Sequence, residues 1–268
     1  RREQGGWQVR AGDQCWQADL LVGADGARSR VRDWAGISGG ARDSGHHALV
    51  ATIATALPHG ACARQVFMES GPLALLPLYS DPQQGEQRQC SIVWSGWPQR
   101  IAGLREQAPA EFAAELQAAV GDALGDITLL SERAVFPIQE RHASQYISAG
   151  LALVGDAAHV IHPLAGQGVN LGVKDIEAFL SVTAKVNASH STGVLWLTDN
   201  LFLQMLVGDY ERPRKRDNVV MMSAMDGFYT LFSNDVAPIK WIRNQLLSVA
   251  QRIEPAKQEV LKYAIGLR

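Results

Sequence analysis

Two short apolar runs, each closing on glycine and aspartate, stand about 130 residues apart in this 268-residue chain. The first is Leu20-Leu21-Val22-Gly23-Ala24-Asp25-Gly26, and the second is Leu151-Ala152-Leu153-Val154-Gly155-Asp156. Short apolar runs that stop at turn residues read as buried strands. The second leads into a glycine-rich loop and a helix from about 168 to 186. Ligands in open α/β sheets bind at the carboxyl ends of such strands. The runs therefore read as parts of one domain, interrupted by what lies between them.

The interruption has a different style. Strand patterns at 48–56, 64–68, 73–78 and 89–95 are followed by helical stretches at 98–107 and 110–120 and a strand at 134–138. Ahead of them, 7–9 and 16–22 read as two strands around the turn Ala11-Gly12-Asp13, and a short helix follows from about 29 to 35. The expected fold is mixed α/β (α+β): part of a Rossmann-like nucleotide-binding domain, an inserted antiparallel sheet, and a helical C-terminus. The expected limits are 1–45 with 146–190 for the split domain, 46–145 for the sheet, and 191–268 for the last helices.

Composition excludes several classes. The net charge of -2 gives no basic surplus for a nucleic-acid backbone. Three cysteines, Cys15, Cys62 and Cys90, are scattered without CxxC spacing, so neither a disulfide framework nor a thiolate metal site is expected. A reducing cytoplasm fits this usage. No apolar run has the length of a membrane span.

The run Gly155-Asp156-Ala157-Ala158-His159, then Pro163-Leu164-Ala165-Gly166-Gln167-Gly168-Val169-Asn170-Leu171-Gly172, carries the strongest chemistry. An acidic side chain at the end of a buried strand can accept two hydrogen bonds from a ribose diol. Gly166 and Gly168 permit close backbone approach to a flat ring. The helix starting near Gly168 points free N–H groups and the positive end of its dipole at whatever lies there. The competing reading is a capped helix and a turn-closing aspartate. The glycines are no dinucleotide fingerprint, because the spacing is one residue too long and the preceding strand is ten residues away.

In the other run, Asp25 can fix a tight turn and hold basic or backbone groups near a pyrophosphate. Ser29 is a plausible helix cap, and Arg28, Arg30 and Arg32 offer positive charge. A plain strand-turn-helix with solvated arginines is the alternative.

Together these motifs resemble the class A flavin monooxygenases, the para-hydroxybenzoate-hydroxylase type. The run from Leu153 to His159 resembles that family's second FAD motif, and Gly23 to Ser29 its Asp-Gly motif. The run from His162 to Gly172 is similar to the ubiquinone-biosynthesis hydroxylases. So are His46 to Ile53, Arg64 to Phe67 and Cys90 to Ser95, which resemble the octaprenylphenol branch acting at ring position 5.

The resemblance implies an enzyme in which NAD(P)H-reduced FAD activates O2 to hydroxylate a polyprenylated phenol. It implies cofactor contacts at Asp25, Arg28, Gly155, Asp156, Pro163, Gly166, Gln167, Gly168, Val169 and Asn170. Val169 and Asn170 would offer backbone N–H groups to the flavin O2. His162 is a candidate base for the phenol, beside the reading in which a histidine before proline in a tight loop packs or hydrogen-bonds. His159 reads as structural.

The family also places a strand, G-x-G-x-x-G and a helix ahead of these motifs. The sequence contains no such fingerprint after a strand, so this chain alone is expected to hold FAD weakly. Near the other end, Tyr210-Glu211-Arg212-Pro213-Arg214-Lys215-Arg216 reads as a solvated basic face. Ile239, Ile242, Leu246, Val249 and Ile253 form an amphipathic pattern. It could pack on the protein's own core, lie peripherally on an inner membrane holding the substrate, or touch sister enzymes of a biosynthetic complex. Hydroxylation of another aromatic compound and a non-catalytic interaction subunit are the rival functions.

Overall fold

A computed structural model describes residues 2–3, 6–79, 87–161, 168–189 and 200–232. They fall into two compact units. The first comprises the described residues of Arg1–Arg42 and Gln139–Gly227, and the second those of Asp43–Ile138 and Phe228–Glu254.

The first unit opens with β1 (Arg2–Glu3), β2 (Gly6–Ala11) and β3 (Gln14–Ala18), an antiparallel three-stranded sheet. Then come β4 (Leu21–Gly23) and α1 (Arg30–Trp34). β5 (Gly39–Thr55) begins in this unit and continues into the second. The second unit adds β6 (Arg64–Met68), β7 (Gly71–Pro77), β8 (Gln89–Gly96), α2 (Pro98–Glu106), α3 (Pro109–Val120) and β9 (Ile127–Leu129). β10 (Ala134–Ala143) returns to the first unit, which continues with β11 (Ile147–Ser148), β12 (Leu151–Leu153) and β13 (His159–Val160). The helices α4 (Gly168–Ser189), α5 (Asn200–Met205) and α6 (Arg212–Phe232) complete the described chain, with a π-helical stretch at Leu206–Glu211.

The second unit follows directly from its periodicities. β8 pairs antiparallel with β5 on one side and β7 on the other, with β6 beyond β7. Alternate residues Leu49, Ala51 and Ile53, Cys90, Ile92 and Trp94, and Leu73 and Leu75 are buried on one face. They form a single core with Ile101, Leu104, Phe112 and Leu116 from α2 and α3. Pro98 and Pro109 stand in the first turns of those helices, where a missing N–H does no harm.

In the first unit, β12 lies between β4, parallel to it, and β11, antiparallel. Leu21 pairs with Leu151 and Gly23 with Leu153. Leu151, Ala152 and Leu153 are all buried, as a strand covered on both faces requires. Phe179 and Val182 from α4, Phe202 from α5 and Tyr210 close the core. The Tyr210 hydroxyl donates to the Leu153 carbonyl at 2.6 Å.

Two elements depart from expectation. The stretch 16–22 is two strands rather than one, because the chain bends at Asp19–Leu20 and leaves β3's hairpin to join β12. β5 starts at Gly39, well before the apolar alternation begins at Ala48. The helical expectation for the C-terminal region holds for 200–232, and the amphipathic stretch around Ile239–Ile253 lies outside the described residues. Among the described residues no helix is long and apolar enough to cross a membrane.

Candidate functional site

The two motifs meet at one end of the β4–β12 pair. The Val154 N–H donates to the Gly23 carbonyl at 3.0 Å, so both chains leave the sheet together. A Cβ on Gly23 would lie 2.7 Å from Leu153 Cδ2 and 2.9 Å from Val31 Cγ1, so any side chain there would force one of those two to shift.

After β4, the Asp25 carboxylate is taken up by α1. It accepts from the Arg30 N–H at 2.8 Å, the Val31 N–H at 3.2 Å and the Ser29 hydroxyl. Ser29 Oγ in turn accepts from the Arg32 N–H at 3.0 Å, as an N-cap does. Partial burial raises the Asp25 pKa, but the hydrogen bonds from Ser29, Val31 and Arg30 outweigh it and hold the group below its ordinary value.

The three arginines divide. Arg28 and Arg30 are exposed, whereas Arg32 is buried. Its guanidinium donates to the Ala27 carbonyl at 3.1 Å and the Ala157 carbonyl at 3.0 Å. The expected surface charge at Arg32 is therefore an internal strut joining the two motifs. Ala157 and Ala158 are fully buried.

The second motif leaves β12 through a 3-10 turn at Gly155–Ala157, with Gly155 at φ +59°. Of residues 155–159 Asp156 alone is exposed, and its carboxylate has no partner among the described residues. A Cβ on Gly172 would lie 3.4 Å from Gly155 Cα, so this turn rests against α4. Gly172 is about one helical turn, or ~6 Å of rise, from the start of α4. Among the described residues a Cβ on Gly168 would meet nothing within 4 Å, Val169 and Asn170 are exposed, and the first turn has no acidic residue. The first N–H groups of a helix have no partner within it, and its positive end here is not offset by its own side chains. Among the sequence-derived candidates, Gly155, Asp156, Gly168, Val169 and Asn170 are thus gathered around one concentrated donor-and-acceptor patch. Pro163, Gly166, Gln167 and His162 lie outside the described residues.

Behind this patch is a buried polar network that motif reading missed. Asp175, fully buried on α4, accepts from the Gly155 N–H at 3.0 Å and from His159 Nε2 at 2.6 Å, both at Oδ2. Its Oδ1 accepts from Arg214 Nε at 2.8 Å. Arg214, buried on α6, also donates to Asn218 Oδ1 at 2.9 Å and to Asp217 at 3.1 Å. Asn218 Nδ2 donates to the Tyr146 hydroxyl at 3.1 Å, which leaves that hydroxyl to donate to His142 Nε2 at 3.0 Å. Burial pushes the Asp175 carboxyl up, but His159 and Arg214 outweigh it and hold it below the usual carboxylate range. Burial lowers the His142 pKa, in keeping with a neutral ring that accepts from Tyr146. His159 is structural here, as expected. The basic run 210–216 is no uniform solvated face, since Tyr210 and Arg214 point inward while Arg212 and Arg216 are exposed.

Comparison with known proteins gives the family and the fold. Residues 8–193 match the family described as FAD binding domain, and the chain belongs to that family. It is 40% identical over 256 residues to the 3-demethoxyubiquinol 3-hydroxylase of Escherichia coli K12, covering 96% of this chain and 61% of that protein. It is 33% identical to the ubiquinone hydroxylase UbiL of Rhodospirillum rubrum, covering 99% and 59%. The chain thus spans about six-tenths of the length of these relatives. Among solved structures it resembles the p-nitrophenol 4-monooxygenase PnpA of Pseudomonas putida, with TM-score 0.66, 17% identity, and coverage of 92% and 59%. It also resembles the anhydrotetracycline hydroxylase OxyS of Streptomyces rimosus, with TM-score 0.63, 19% identity, and coverage of 98% and 50%. These two likenesses establish the fold. The described residues fit FAD: an exposed carboxylate without a partner among them stands at a strand end, and the turn that carries it rests against a helix whose first turn has no acidic residue.

Proposed function

We propose that the protein carrying this chain is an FAD-dependent monooxygenase that hydroxylates a polyprenylated phenol in ubiquinone biosynthesis, using NAD(P)H and O2. The observation that carries this reading is the exposed Asp156 carboxylate at the carboxyl end of β12, which has no partner among the described residues and follows the turn that rests against α4. Bound FAD supplies the redox and oxygen-activating chemistry, and the protein orients it and shields it from water. Asp156 would accept hydrogen bonds from ribose hydroxyls. The Val169 and Asn170 N–H groups would hold the negative charge that reduced flavin carries near its O2 atom. By the resemblance, Pro163 and Gly166 would line the ring and Gln167 would contact the cofactor, while Asp25 and Arg28 would stand toward the nucleotide part.

The names of the relatives support the substrate class. The substrate-sheet segments resemble the branch acting at ring position 5, whereas the Escherichia coli relative is named for position 3 of a demethoxyubiquinol. The shared chemistry is an electron-rich ring with a polyprenyl tail. Such a tail partitions into lipid, so peripheral contact with the inner membrane, and with sister enzymes there, belongs to the proposal.

Two experiments test the two halves of this reading. In the protein carrying this chain, Asp156→Ala should weaken FAD binding about tenfold or more, since a hydrogen bond to a charged group contributes roughly 1.5–3 kcal/mol. Equal flavin content in wild type and variant after identical purification would remove Asp156 from the site. For the substrate, bacterial hosts lacking either the position-5 or the position-3 hydroxylase should be given the gene. Restored ubiquinone in one of them identifies the ring position, and continued accumulation of precursor in both leaves a different aromatic substrate as the better reading.

A further inference from the structure

We infer that Asp175 is the positioning residue of the cofactor site, setting where the Asp156 carboxylate stands relative to the start of α4. This rests on the reading of Asp156 as a ribose contact. The Asp175 carboxylate grips the turn on both sides of Asp156, through the Gly155 N–H before it and His159 after it. Asp175 is itself part of α4, seven residues after Gly168. One side chain on α4 therefore fixes the acceptor on the turn relative to the helix that carries the donors. Arg214 holds the other carboxylate oxygen from α6, which stops the carboxylate from rotating away from the turn.

A burial of this kind is a poor device for stability alone. Taking two charges out of water offsets most of their attraction, and well-packed apolar residues often serve stability equally well. What an apolar replacement lacks is direction. Gly155 N–H and His159 Nε2 are both held at Oδ2, and that shared acceptor orients the one exposed side chain between them.

The test is a double-mutant cycle read by FAD affinity, with Asp156→Ala, Asp175→Asn and their combination made in the protein carrying this chain. Each is stripped of flavin and titrated with FAD, and the thermal unfolding of each is recorded. Asp175→Asn alone should weaken FAD about tenfold, comparable to impairing one charge-assisted hydrogen bond. The double variant should bind no more weakly than Asp156→Ala alone, because a misplaced contact that is already absent cannot be lost again. A purely structural role predicts the opposite. The two effects would then multiply, or Asp175→Asn would lower the melting temperature with no change in FAD affinity, and either result overturns the positioning role. An unchanged affinity in Asp156→Ala alone instead overturns the ribose contact and, with it, this inference. Should Asp175→Asn not fold, His159→Leu takes its place in the cycle under the same criteria, with His159→Gln, which keeps an N–H donor, expected to restore affinity.

Discussion

Arg214→Met is expected to destabilise the protein by about 3–5 kcal/mol, the usual cost of breaking a buried ion pair from one side. The reason is what it leaves behind. Asp175 is fully buried, and in the variant its charge retains the Gly155 N–H and His159 but loses the Arg214 guanidinium. The loss should also depend on pH in a definite direction. The Asp175 pKa is depressed in the folded protein, so its contribution is fully present above the ordinary carboxyl value of 3.8 and disappears as pH falls through the lower folded value. Without Arg214 that depression shrinks, and the gap between wild type and variant should close on the acid side. Asp175→Leu combined with Arg214→Met should recover part of the loss, though the Gly155 N–H would then lack an acceptor. Urea unfolding at neutral and acid pH measures all of this. A loss below about 1 kcal/mol at neutral pH, typical of exposed pairs, would show that the pair is effectively solvated.

Arg32→Met should cost roughly 2–4 kcal/mol, because it strands the buried Ala157 carbonyl and weakens the hold on the part-buried Ala27 carbonyl. Methionine fills much of the same volume, so the effect isolates the lost donors rather than a cavity. FAD affinity should fall as well, since Arg32 is what ties the turn after β4 to the turn after β12. Arg28→Met, at an exposed position, is the control and should leave stability within about 0.5 kcal/mol. Similar unfolding midpoints for the two variants would show that Arg32 is not a strut.

Much of this was open to reading in the sequence. The run Leu151–Asp156 is short, apolar and closed by turn residues, and it forms the buried strand and exposed carboxylate that such a pattern implies. The sheet of the second unit follows from alternation at Leu49, Ala51 and Ile53 and at Cys90, Ile92 and Trp94. The early part of β5 was not legible, because Gly39-Gly40-Ala41-Arg42-Asp43-Ser44-Gly45 has the composition of a loop and is extended only through partners distant in sequence. The bend at Asp19–Leu20 was hidden for the same reason.

The polar network had a signal that motif matching passes over. Leu171, Asp175, Phe179 and Val182 recur at helical spacing and are all buried, so the carboxylate sits on the apolar stripe of α4. Tyr210, Arg214, Asn218 and Met221 form a second such stripe with a cation on it. An acid on one buried stripe and an arginine on another predict each other, since neither charge can be buried alone.

The hydrogen bond from Ser44 Oγ to the Ile138 carbonyl, at 2.8 Å, ties together the two places where the chain enters and leaves the second unit. Pairing β4 with β12 requires closing a loop of about 130 residues, and loop-closure entropy grows with the logarithm of that length. Once the second unit has folded and this bond is made, the free chain that must still be ordered shrinks to about 35 residues, lowering the closure cost by about 1 kcal/mol. The inserted sheet thereby acts on its host as a cross-link would, by thinning out the ensemble of unfolded conformations.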